Sequence, residues 1–271
     1  MAIAGGGELA AACACAGALG LVGGGYGDPA WVAREYALAM DRANGEARAR
    51  VGCGFITWRL DEDATAFHAL LDQQYRPAAL LLSFGDPRPY SGYLADADIP
   101  LICQIQNMGQ LPMAVEAGAS VIVAQGAEAG GHGMNAENGR SSMTFIPEIA
   151  DWLDRNLTGT EREAVSLVAA GGIADGRGVA AALMLGADGV MMGTRLWATY
   201  QALAHDNAKQ AAVAASGDDS IRSSIFDILR RKNWPEPYDF RALRNELHRE
   251  WEGRVEELRL RPEDGRAAYD A

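Results

Sequence analysis

The stretch Ser120–Gly133, SVIVAQGAEAGGHG, constrains the fold more than any other part of the chain. It opens as an apolar run, Val121-Ile122-Val123-Ala124, with Gly118 before it and Gly126 after it. A short continuous apolar run between glycines has the length and bounding of a strand buried on both faces, the kind found in parallel sheets covered by helices. The run then enters a loop in which Gly130, Gly131 and Gly133 surround His132. In βα folds the loops at the carboxyl ends of parallel strands carry the chemistry. Glycine there keeps side-chain bulk low, lets a flat ligand approach the backbone and admits positive φ. His132 is the nearby side chain able to move a proton near neutral pH. The plain alternative is a tight turn with a surface histidine.

The same grammar recurs. Ala16-Gly17-Ala18 precedes Leu19–Val22, Gly118-Ala119-Ser120 precedes Val121–Val123, and Gly186-Ala187-Asp188 precedes Gly189-Val190-Met191. Each is a helix stop, a short turn and a short buried strand, and a repeated αβ unit predicts a parallel sheet. Alternation sustained over about 200 residues predicts a (β/α)8 TIM barrel ahead of an open doubly wound sheet. Strands are expected at 19–22, 51–57, 79–83, 100–105, 120–124, 165–170 and 190–192. That is one short of eight. Only Met1-Ala2-Ile3 precedes the first predicted helix, at 7–16, so the first strand is expected to be truncated.

Beyond Thr194 the alternation stops. Residues 196–214 read as helix, and Trp234-Pro235-Glu236-Pro237 as a rigid turn. Phe240, Leu243, Leu247, Trp251, Val255 and Leu258 lie three or four residues apart, the spacing of one helical face. The expected organisation is therefore a barrel over 1–200 and a helical extension over 201–271 packed on it, with a homodimer contact as the alternative use of that face.

Composition bounds the function. The 271 residues suit one large α/β barrel or two smaller domains, 49% of them are hydrophobic, and the net charge of −12 argues against nucleic acid or an anionic membrane as partner. Cys13, Cys15, Cys53 and Cys103 lack the clustering a zinc site needs and read as reduced, small apolar fillers. No basic leader precedes an apolar segment, and no run of roughly 20 apolar residues occurs, so a soluble, cytoplasmic protein is expected.

Two glycine turns end the last two predicted strands: Ala170-Gly171-Gly172 and Met192-Gly193-Thr194. In barrels the loops after the seventh and eighth strands commonly hold a phosphate through backbone amides and a helix N-terminus, and Thr194 adds a hydroxyl. No G-x-x-x-x-G-K-[ST] loop is present, so triphosphate hydrolysis is unsupported. His68, His205 and His248 fall in predicted helices as surface or packing residues, and Trp58 and Tyr90 follow strand ends as candidate cavity walls.

Taken together, Ala124–His132, Ala170–Gly176 and Met192–Arg195, with AGALGLVGGG near the start and WPEPYDFRALRN near the end, resemble the signature of the nitronate monooxygenases, FMN-dependent TIM barrels formerly called 2-nitropropane dioxygenases. The resemblance implies that Ala170, Gly171, Gly172, Gly193 and Thr194 hold the FMN phosphate. It implies that Gln104, Gln125, Gly126 and Gly131 line the ring or ribityl chain, and that His132 is the base. Gly54 stands where the family often has an asparagine near the flavin, and Met1 where its first strand ends. The implied reaction is oxidation of an alkyl nitronate or nitroalkane by O2 to a carbonyl compound and nitrite, with no metal. The same signature serves FMN-dependent enoyl reductases and NAD(P)H:quinone reductases, and a flavin-free barrel that only binds a metabolite is the alternative of another class.

Overall fold

A computed structural model describes residues 3–270, with side chains to residue 266. Its strands, in chain order, are β1 (Gly20–Gly25), β2 (Val51–Ile56), β3 (Leu80–Ser83), β4 (Leu101–Ile105), β5 (Val121–Gln125), β6 (Gly131–Met134), β7 (Ser166–Ala170), β8 (Gly189–Met191), β9 (Ser220–Ser223) and β10 (Tyr238–Leu243). Seven of them form one parallel sheet in the order β1-β2-β3-β4-β5-β7-β8. Each expected strand is there, within a few residues of its predicted bounds. The sheet curls as a (β/α) barrel that stays open, since among the described residues no strand joins β1 to β8. Of the Met1-Ala2-Ile3 segment, Met1 and Ala2 lie outside the described residues. Ile3 sits in a turn, and Gly5 then accepts a hydrogen bond from Gly23 N at 2.7 Å.

The strands are short and apolar because both faces are covered. One face carries Leu80, Leu82, Leu101, Cys103, Ile122, Ala124 and Leu167 into the main core, with Phe67, Phe145, Ile146, Ile149 and Leu153 from the helices. Phe145, Ile146, Ile149 and Leu153 are at most 1% exposed, and each such side chain stabilises the fold by about 1.5–3 kcal/mol. They fall at helical spacing on Ser142–Asn156, which Ser141 caps by accepting from Met143 N. The opposite face gathers Leu81, Ile102, Val123 and Ala170 into a smaller cluster joined by Leu21, Val168 and Met191. Close approach fixes one glycine in the sheet. A Cβ on Gly20 would overlap the Ala10 carbonyl of the helix Gly7–Cys15.

The region after β8 departs from its expected form. Phe240 and Leu243 are on β10, and only then do the helices Glu246–Trp251 and Val255–Leu260 follow. Three-residue spacing puts Phe240 and Leu243 on opposite faces of a strand, and it is pairing with β6 and β9 that holds this segment extended. Asn245, accepting from His248 N, starts the first helix, and Gly253 at φ +77° separates the two. The helix expected at 196–214 is likewise two pieces, Thr194–Trp197 and Asp206–Ala214. β10 lies between β6 and β9 in a second, antiparallel sheet, with Phe240 opposite His132 and Ser223. Two cysteine expectations also change. Cys53 and Cys103 are buried, with thiols pushed up to about 12 by burial, but Cys13 is half-buried and Cys15 exposed, so those two are not core fillers. No helix among the described residues is long and apolar enough to cross a membrane.

Candidate active site

The carboxyl ends of the parallel strands carry a polar layer above the apolar one. Gln104 Nε2 donates to Ser83 Oγ (3.0 Å) and Gln125 Oε1 (3.2 Å). Gln106, which sequence reasoning missed, donates to the same two atoms at 3.1 and 3.0 Å. Gln125 Nε2 in turn donates to the His132 carbonyl at 2.9 Å. Gln106 is 1% exposed and its Oε1 has no partner, an orphaned acceptor among amides. An unmet buried acceptor costs about 1–3 kcal/mol unless a ligand or water supplies a donor.

Two glycine turns and one loop meet beside this layer. β7 and β8 are neighbours in register, Ala170 against Met191, so Gly171-Gly172 and Gly193-Thr194 follow adjacent strands. Gly171 and Gly172 have φ of +109° and +71°, and a Cβ on Gly171 would lie 3.1 Å from Ala129 N and Gly126 O. A Cβ on Gly130 would run into Thr194 Oγ1. Both turns therefore abut the 126–130 loop. Two expected contacts are already spoken for. Gly126 N donates to Ala170 O at 2.8 Å. The first amides of the helix Gly176–Met184 are capped by Asp175, which accepts from Arg177 N and Gly178 N at 3.0 and 3.2 Å. An anion between the turns would be held by the turn amides and the Thr194 hydroxyl, without that helix end.

Glu128 anchors the loop and does not touch His132. It accepts from Ser141 Oγ at 2.8 Å and from Ser142 N at 3.0 Å. Burial pushes its carboxyl up, but hydrogen bonds from its own amide, Ser142 and Ser141 outweigh this and hold it below the usual glutamate range. From the other side Arg222 clamps the same loop. Its Nη1 donates to Gly131 O (3.3 Å) and Asp239 O (2.7 Å), and its Nη2 to Ala129 O (2.8 Å) and Ala127 O (3.4 Å). Burial, then the neighbouring Arg241, lowers its guanidinium to about 10, so it stays charged at neutral pH.

His132 belongs to β6 rather than to a free loop, with Gly131 just before it at φ +75°. Its Nε2 lies 2.9 and 3.1 Å from the two oxygens of Asp227, whose side chain is 4% exposed. Arg230 Nη2 holds the same carboxylate at 2.8 Å. The Trp234 indole stacks on the imidazole, centroids 3.5 Å apart and planes at 12°. Trp234 also donates from Nε1 to Tyr26 Oη at 3.0 Å and meets Trp58, Phe84 and Tyr238 edge-on. Phe84 reaches it from a left-handed backbone, φ +66°, a conformation costing about 1–3 kcal/mol for a bulky residue. Trp58 is thus part of this aromatic wall. Tyr90 is not: it is 6% exposed, packs on Phe67 and donates to Asp61 at 2.8 Å. Burial is the largest influence on His132 and pushes its pKa down. Asp227 pushes it up, Arg230 and Arg222 push it down, and the net is below the ordinary histidine value. A half-buried imidazole that is neutral near pH 7 and oriented by a carboxylate is equipped to accept a proton.

The profile of the nitronate monooxygenase family matches residues 56–266. The chain belongs to that family. It is 36% identical over 236 residues to the nitronate monooxygenase npaC of Metarhizium robertsii, covering 81% of this chain and 62% of that protein. It is 39% identical over 145 residues to a nitronate monooxygenase of Neurospora crassa, covering 52% of this chain and 37% of the relative. The chain thus spans less than two thirds of the length of these family members. Among solved structures, FabK from Thermotoga maritima superposes with a TM-score of 0.76 at 26% identity, covering 98% of this chain and 75% of that one. A nitroalkane oxidase from Streptomyces ansochromogenes superposes with a TM-score of 0.71 at 23% identity, covering 92% and 76%, and shares the fold. The matched segment contains β6, Asp227 and Trp234 together with both glycine turns.

Proposed function

We propose that the chain binds FMN and oxidises alkyl nitronates or nitroalkanes with O2, giving a carbonyl compound and nitrite. The observation that carries this reading is the half-buried, carboxylate-bound His132 at the end of a loop that two glycine turns abut. The residues fit the cofactor in chemistry. Gly171 and Gly172 have a backbone that side chains disfavour, Thr194 offers a hydroxyl, and Gln104 and Gln106 bring amides to the strand ends, one with an unmet acceptor. Bound there, FMN would supply the redox chemistry, taking electrons from the donor and delivering them to oxygen.

The protein's own part is proton handling and positioning. With a neutral nitroalkane, the imidazole of His132 takes the α-proton and the electron pair stays with the nitro group as a nitronate. Such a base contributes about 10²–10⁴-fold. The aromatic wall of Tyr26, Trp58, Phe84 and Trp234 excludes water from one side of the imidazole. The expected partners are a small donor and O2, in the cytoplasm.

His132→Ala tests the reading. The variant should keep flavin absorbance and lose nitroalkane-dependent oxygen uptake by about 10²–10⁴-fold. Unchanged kinetics would remove His132 from the reaction. The likeness to FabK favours a second reading, in which NAD(P)H reduces the flavin and a quinone or enoyl thioester reoxidises it. Rapid anaerobic bleaching by NADH, with no response to nitronates, would select it.

A further inference from the structure

We propose that Asp227 is a positioning residue that sets the tautomer of His132, keeping the proton on Nε2 and leaving Nδ1 as the atom that accepts the substrate proton. This rests on the reading of His132 as the base. A carboxylate only accepts hydrogen bonds, so an imidazole nitrogen 2.9 Å from one of its oxygens and 3.1 Å from the other must carry the hydrogen. Nδ1 then holds the lone pair. It has no hydrogen-bond partner among the described residues, and the side chain keeps 12% of its surface exposed.

The arrangement is locked from several directions. Trp234 lies flat on the imidazole, and Phe240 approaches it at 4.8 Å between centroids. The His132 backbone is pinned by Gln125 at its carbonyl and by pairing with Phe240 across β6 and β10. Asp227 is fixed in turn. Arg230 Nη2 binds its Oδ1, and its backbone carbonyl accepts from Lys232 N at 2.8 Å. The charged groups that bear on the imidazole are Asp227, Arg230 and Arg222.

In the reaction the substrate C–H bond breaks, its electron pair passes into the nitro group, and the proton goes to Nδ1. The resulting imidazolium carries two N–H groups, one of them already on Asp227, so the charge that develops meets a carboxylate in place. The proton later leaves Nδ1 for solvent. Comparable histidine–carboxylate pairs lose several orders of magnitude in rate when the acid becomes an amide that favours the wrong tautomer.

The test uses the full chain labelled with ¹⁵N-histidine. Long-range ¹H–¹⁵N spectra, with the His132 signals identified by their loss in His132→Ala, should show the Nε2–H form. In Asp227→Asn the form should become mixed or invert, since an amide can donate to Nε2, and Asp227→Glu should restore it. Turnover adds a second readout. Asp227→Asn should cost about 10²-fold or more in kcat on a neutral nitroalkane, with KM little changed. The loss on the preformed nitronate, which has no α-proton to give up, should be at least about tenfold smaller. An Nδ1–H tautomer in the unmodified protein, or equal losses on the two substrates, would overturn the proposal. If neither substrate is turned over while the Nε2–H form is observed, the tautomer assignment stands and the functional reading falls. Should Asp227→Asn fail to fold, the spectrum of the unmodified protein and the Asp227→Glu variant decide.

Discussion

The glycine turns after β7 and β8 and the segment from β9 to β10 serve one site by opposite means. The turns offer backbone: Gly171 and Gly172 have positive φ, a Cβ on either would meet the 126–130 loop at 3.1 Å, and Gly171 and Gly193 each follow closely on the strand that places them. The later segment offers side chains: Arg222, Asp227, Trp234 and Phe240 reach back about 100 residues to hold the 127–132 loop. A backbone site tolerates no added atoms, whereas a side-chain site tolerates no lost ones. The two halves should therefore fail differently when altered.

The sharpest contrast is expected at Gly171. Gly171→Val places a branched side chain at φ +109° with Ala129 N and Gly126 O only 3.1 Å from its Cβ. Flavin absorbance should be lost, and turnover with it, while the His132 tautomer is unaffected. A variant that purifies with full flavin occupancy would dissolve the assignment of that turn. Arg222→Ala should do the reverse, removing three bonds to carbonyls of the 127–131 segment and a fourth to Asp239 O on β10. At about 0.5–1.5 kcal/mol per hydrogen bond, urea unfolding should show a loss of about 2–4 kcal/mol, with flavin binding weakened less than stability. Equal midpoints for variant and parent would mean the loop is held from the sheet side alone.

Trp234→Ala uncovers one face of the imidazole without touching the turns. A decrease of about tenfold in kcat/KM with intact flavin is expected, less than for loss of the base itself. No decrease would make the indole a passive cover. The smallest effect is in pH. Because burial holds His132 below its ordinary value, activity on a neutral nitroalkane should persist somewhat below about pH 6.5 before its acid limb begins. The same shift has a sign for stability. Between the lowered folded value and the ordinary one, the unfolded chain binds more protons, so stability rises with pH there and is lost as pH falls through that window. A denaturation series in His132→Ala should show that slope reduced.

The parallel sheet was legible because its strands are short apolar runs, several of them closed by glycine, a pattern written locally at 121–125, 166–170 and 189–191. The helix Arg88–Asp96 was passed over, although Asp86 accepts from Arg88 N at its start. β6 was illegible for a different reason: GHGM has no alternation and low strand propensity, and it becomes a strand only because β10 pairs with it from residue 238 onward. Asp227 gave no signal either. An acid in the helix Ile225–Leu229 reads as a solvent-facing residue, yet it is 3% exposed and bound to both His132 and Arg230.

By itself, the amino-acid order fixed where the chain must run extended, where it must turn on glycine and which histidine stands among those turns, since each depends on neighbours a few positions away. Which side chains surround that histidine was decided only when the segment from Arg222 to Phe240 folded back onto β6. Pairing across more than 100 residues is a property of the folded chain and leaves no periodicity in the sequence for a reader to find.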